Sequence, residues 1–179
     1  TQVFKFDSNS QISKADDLGP MVTDVFSDGA RIFSGSVLGS SGTPVSELVF
    51  AFSEDLSVRG GDQGLDSVLN TMNWTLTRNG NNLVGGVESI DFVSNVVSGT
   101  RKYEATITFD GDSLSDGVSP LSDGNYTLTL HDSVHDFYKY DDTDPFFGGN
   151  ALDGDFDGVP GTRLDGTGAD GYEFKFGVA

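Results

Sequence analysis

A chain of 179 residues accommodates one large domain, or one domain with a fragment of another. Its 28 acids against 10 Lys and Arg leave a net charge of −18, which repels phosphate backbones and anionic membranes and so excludes nucleic-acid binding. No apolar run approaches the ~20 residues that a membrane-spanning helix needs.

With 36% hydrophobic residues, 14 of them Phe, the chain can bury a core, and 24 Gly among many Ser and Thr point to an all-β protein rich in turns. There is no cysteine, so rigidity has to come from elsewhere, and bound calcium is one substitute. The large negative charge is tolerable where divalent cations neutralise it or salt screens it. With Thr1 first and no signal peptide, the chain reads as a piece of a longer one.

Residues 3–6 form a short alternating strand, with Phe4 and Phe6 on one face. It is either the closing strand of a preceding module or an extra strand of this domain's own sheet. Residues 7–19 are polar and read as a linker, so residues 1–19 stand apart from a domain over 20–179. Strands are expected over 21–26, closed by Ser27-Asp28-Gly29, and over 31–38. In 47–52, Leu48, Phe50 and Phe52 share one face and Val49 and Ala51 the other, as in a strand buried on both sides. One helical turn is expected over 66–70 with Asp66 as N-cap. Residues 73–77 alternate with Trp74 and Leu76 inward, and Asn79-Gly80 signals a hairpin because both residues tolerate positive φ. Residues 87–97 read as one strand with a bulge or bend. Residues 103–109 and 126–130 alternate strictly, and 172–178 close the domain.

Between His131 and Gly171 there is no strand pattern, but ten aspartates face only Lys139 and Arg163. Within it, Asn150-Ala-Leu-Asp-Gly-Asp-Phe-Asp-Gly158 sets Asp153, Asp155 and Asp157 at alternate positions between glycines. Three carboxylates in a tight loop repel one another unless a cation sits between them, and hard oxygen ligands suit Ca²⁺; the alternative is a solvated acidic turn, which Asp and Gly favour with or without metal. The loop resembles the first half of the ligand loops of EF-hands, dockerins and thrombospondin type 3 repeats. It departs from an EF-hand afterwards: Leu164 stands where a bidentate Glu is expected, and Pro160-Gly161 opposes an exiting helix. Further candidate ligands are the Val159 carbonyl, Asn150, Asp136 and Asp132, and a second site over Asp141, Asp142 and Asp144 is conceivable.

Short strands, regular turns and no helix describe a β-sandwich. The segments Glu47-Leu-Val-Phe-Ala-Phe-Ser-Glu-Asp-Leu56, Leu121-Ser-Asp-Gly-Asn-Tyr-Thr-Leu-Thr-Leu130, Gly149-Asn-Ala-Leu-Asp-Gly-Asp-Phe-Asp-Gly158 and Tyr172-Glu-Phe-Lys-Phe176 together resemble the bacterial Ig-like modules of large secreted and cell-surface proteins, of the kind planctomycetes carry in tandem. The resemblance runs over residues 20–179. It implies an Ig-like antiparallel β-sandwich with a long acidic calcium-binding loop before the last strand. It further implies an extracellular or cell-surface spacer or adhesion unit, with neighbouring modules of the same polypeptide as partners. The aromatic, acidic insertion between His131 and Gly149 departs from the family pattern.

Catalysis finds little support. Acid pairs such as Glu54/Asp55 are adjacent residues, whereas a glycosidase needs two carboxylates facing each other across a cleft. There is no Gly-x-Ser-x-Gly elbow, and His131 and His135 read as loop histidines without a zinc pattern around them. Trp74, Tyr103 and Tyr126 read as core. Tyr138, Tyr140, Phe146 and Phe147 in the insertion offer an alternative, a carbohydrate-binding surface contacting an extracellular glycan or surface protein.

Overall fold

The computed structural model describes residues 4–6, 12–14, 18–97, 100–112, 117–137, 149–161 and 171–179. The chain is all-β. Among the described residues ten strands build two stacked sheets: β3 (Val22–Ser27), β4 (Ala30–Ile32), β5 (Val37–Leu38), β6 (Glu47–Phe52), β7 (Trp74–Arg78), β8 (Asn81–Asn82), β9 (Val87–Val97), β10 (Thr100–Phe109), β11 (Gly124–Leu130) and β12 (Tyr172–Val178). One sheet runs β4-β3-β6-β10-β9 and the other β5-β12-β11-β7-β8. Among the described residues every pairing between these strands is antiparallel except β5 with β12, which is parallel.

The alternating sequence pattern decides which face is buried. Leu48, Phe50 and Phe52 of β6, Ala105, Ile107 and Phe109 of β10, and Tyr126, Leu128 and Leu130 of β11 all point between the sheets. Phe50 sits at the centre, its ring edge-on to Trp74 at 5.5 Å, Phe174 at 5.8 Å and Tyr172 at 6.3 Å. These offset geometries match the ring quadrupoles and add to the burial energy. The outer face of β6 is half-exposed at Val49 and Ala51, so this strand is covered on one side and not on both.

Both predicted tight turns form. Asn79 and Gly80 hold φ of 50° and 80° and join β7 to β8, while Asp28 and Gly29 hold φ of 50° and 70° and join β3 to β4. The expected irregularity in β9 is a bulge, where the register with β10 shifts between Thr108 and Phe109.

Two further expectations need correction. Residues 31–38 are not one strand. The chain turns at Gly35 (φ 95°), with Ser36 N–H donating to the Phe33 carbonyl, and crosses from the first sheet (β4) to the second (β5). The predicted helical turn over 66–70 is absent. Asn70, not Asp66, is the cap: its side-chain oxygen accepts from Met72 N–H and opens a 3₁₀ turn over Thr71–Asn73. Asp66 instead accepts from the Ser57 hydroxyl.

Of the two readings of the opening residues, an extra strand of the two stacked sheets is not found among the described residues. β1 (Phe4–Phe6) pairs antiparallel with β2 (Ile12–Lys14), inside the expected linker, and among the described residues this pair is a sheet of its own.

Candidate metal centre

The acidic loop leaves the core at Leu152, which is fully buried. Leu152 N–H donates to the Val134 carbonyl at 2.9 Å and Asp153 N–H to the Pro20 carbonyl at 3.0 Å, so the loop is anchored on both sides before its first carboxylate. Gly161 N–H then returns to the Leu152 carbonyl at 3.1 Å and closes the loop. Between these points Phe156 and Gly158 adopt φ of 65° and 83°. The Phe156 ring stands edge-on to Tyr172 at 5.9 Å, tying the loop to the closing strand.

That path turns the three carboxylates toward one another. One oxygen each from Asp153, Asp155 and Asp157 lies within 4.8 Å of the others. Asp153 is only 2% exposed; its oxygens accept Asp157 N–H at 3.2 Å and Gly158 N–H at 2.9 Å. Asp155 Oδ1 accepts Asp157 N–H at 3.1 Å, and Asp157 Oδ1 accepts Val159 N–H at 2.8 Å. Backbone dipoles therefore orient all three side chains and offset part of their mutual repulsion. The ion pairs among the described residues, Arg31–Asp24, Lys102–Glu104 and Lys175–Glu173, lie elsewhere.

The oxygen spacing suits a hard cation. Ligands on opposite sides of Ca²⁺ stand roughly 4.6–5.2 Å apart, twice the metal–oxygen distance. Three monodentate carboxylates fall short of the ~6–8 oxygens that Ca²⁺ takes, so water or carbonyl oxygens would complete the shell. The donor set, all oxygen and without His or Cys, suits Ca²⁺ better than zinc.

The other expected ligands sit as follows. Val159 follows the triad, half-buried, with its N–H on Asp157. Asn150 donates its side-chain amide to the Leu18 carbonyl at 2.8 Å and to Asp136 Oδ2 at 3.2 Å. Asp136 is buried, and its Oδ1 accepts Asn150 N–H at 3.0 Å. Both residues therefore brace the stem of the loop. Asp132, half-buried, follows β11; neither it nor Asp136 is in the convergent group. Tyr138, Tyr140, Phe146, Phe147, Asp141, Asp142 and Asp144 lie outside the described residues. The two histidines serve the scaffold: His131 Nε2 bonds the Thr75 hydroxyl at 2.8 Å, and His135 pairs through its backbone with Asp66 and Ala151.

Sequence reasoning missed the bracing. A Cβ on Gly149 would lie 1.5 Å from Asp136 Oδ1, and one on Gly19 would lie 2.1 Å from the Ala151 carbonyl. Both glycines permit backbone approaches between segments far apart in sequence, which local pattern does not encode. No family model, no curated protein and no solved structure matches this chain.

Proposed function

We propose that the chain is a non-enzymatic, calcium-stabilised Ig-like module of a bacterial extracellular or cell-surface protein, serving as a structural spacer or adhesion unit. The observation that carries the calcium reading is the convergence of Asp153, Asp155 and Asp157 within 4.8 Å on a loop anchored to the core. The loop's stem also hydrogen-bonds the domain's entry through Leu18 and Pro20, so an ion there would stiffen the point where the chain enters the sandwich.

The strand order supports the Ig-like reading. β3-β6-β10-β9 against β12-β11-β7-β8 follows the A-B-E-D against G-F-C-C′ arrangement of Ig sandwiches. Trp74 lies buried on the strand equivalent to C, where Ig domains carry a core Trp. Tyr126, near the start of the strand equivalent to F, donates its hydroxyl to the Ser122 carbonyl at 2.7 Å, the geometry of a tyrosine corner. There is no cysteine, and Phe50 of β6 bridges the two sheets through edge-on contacts with Trp74 of β7 and Phe174 of β12. The carbohydrate-binding alternative depends on insertion aromatics outside the described residues, and no observation favours it.

Calorimetric titration with CaCl₂ tests the metal reading. A saturable isotherm is expected for the native chain, with at least about a tenfold loss of affinity in Asp155→Ala and Asp157→Ala, since each removes one of few charged ligands. An isotherm unchanged by both substitutions contradicts it.

A further inference from the structure

The four sheet edges are unequal. Three are blunted by length: β4 has three residues, and β5 and β8 have two each. β9 has 11, and among the described residues it pairs only with β10. A long edge strand presents a row of unpaired N–H and C=O groups that templates another strand.

The ladder identifies the outward groups. Phe109 N–H donates toward β6, to the Ser46 carbonyl, and Asp110 N–H donates toward β9, to the Gly86 carbonyl. Alternation along β10 then directs Thr108, Thr106 and Glu104 at their partners Ser89, Asp91 and Val93, leaving the amides of Ile90, Phe92 and Ser94 pointing away from the sheet.

The side chains beside that row differ between the two faces. Toward the core stand half-buried Ile90 and Phe92, and Phe92 borders a hollow of about 270 Å³ that Leu56, Val58 and Phe137 also line. On the outer side stand exposed Ser89, Asp91 and Val93, and exposed Glu88 sits at the bulge. No Lys, Arg or Pro lies within β9.

We infer that the β9 edge receives an extended basic peptide segment, added as a further strand with apolar residues toward Ile90 and Phe92 and Lys or Arg toward Glu88 and Asp91. Main-chain hydrogen bonds supply affinity and the two faces supply selectivity. A second copy of the chain is disfavoured as occupant because it brings a further charge of −18 and the same two acids to the seam.

The test uses the whole chain and three heptapeptides: Val-Lys-Val-Lys-Val-Lys-Val, its Glu-for-Lys counterpart, and Val-Lys-Pro-Lys-Pro-Lys-Val, which has equal charge but cannot complete a ladder. The amides of Ile90, Phe92 and Ser94 should exchange freely alone and become protected by the first peptide only. In Glu88→Lys/Asp91→Lys, affinity for that peptide should fall about tenfold or more, and the Glu peptide should become the better ligand. Three results overturn the proposal: amides already protected in the free chain, equal binding of the Pro peptide, or no effect of charge reversal. Size-exclusion showing β9-dependent dimers would likewise overturn it in favour of a second copy.

Discussion

Gly149 shows how one residue governs the stem of the acidic loop. The chain passes so close to Asp136 that a methyl group there would overlap the carboxylate oxygen holding Asn150 N–H. Gly149→Ala must therefore either displace the carboxylate or open the stem, and stability should fall by roughly 1–3 kcal/mol, the cost of overpacking a tight site. Urea denaturation monitored by Trp74 fluorescence measures it; an unchanged midpoint would show that the stem is looser than described. The triad itself was legible in the sequence, because the Asp-x-Asp-x-Asp spacing is local and a tight turn makes such carboxylates converge. The bracing by Asn150, Asp136 and Gly149 was not. Asp136 Oδ1 accepts Asn150 N–H, and the Asn150 amide donates to Leu18 and Asp136; these contacts join segments distant in sequence, so no local pattern announces them.

Among the elements, strands with strict alternation were the readable ones, since period two and burial of one face are the same fact. β10 and β11 behave so, with fully buried Ile107 and Leu128 at their centres. The segment 31–38 failed because its apolar residues serve two sheets: the crossing at Gly35 resets the alternation, and a lone glycine does not announce it. The corner that begins β11 carries its own prediction. Tyr126 is almost wholly buried and donates to the Ser122 carbonyl, so Tyr126→Phe should cost about 1 kcal/mol for the lost hydrogen bond. Burial raises the Tyr126 pKa above the ordinary tyrosine value; Asp123 adds to this, while the Arg78 guanidinium and the Ser122 hydrogen bond oppose it. Burial also raises that of Tyr172. In the unfolded chain these phenols ionise first, near pH ~10. Their contribution is thus fully present below that pH and is lost as pH rises through it toward the folded values. Melting temperature should fall above pH ~10, and Tyr126→Phe/Tyr172→Phe should flatten that fall. An equally steep fall in the double variant would assign it to other groups.

For the molecule as a whole, a net charge of −18 is a standing penalty on compactness, and the acidic loop concentrates three of those charges within 4.8 Å. Monovalent salt relieves the general repulsion by screening. A bound ion relieves what the backbone dipoles leave of the local one, and it stabilises the native state through its preference for that state. The deciding measurement is a pair of melting curves at matched ionic strength, one in millimolar CaCl₂ and one in excess chelator, for the native chain and for Asp155→Ala/Asp157→Ala. The account predicts a midpoint several degrees higher in calcium for the native chain and no such difference for the double variant. Coincident curves for the native chain, or an equal calcium shift in the variant, would contradict it.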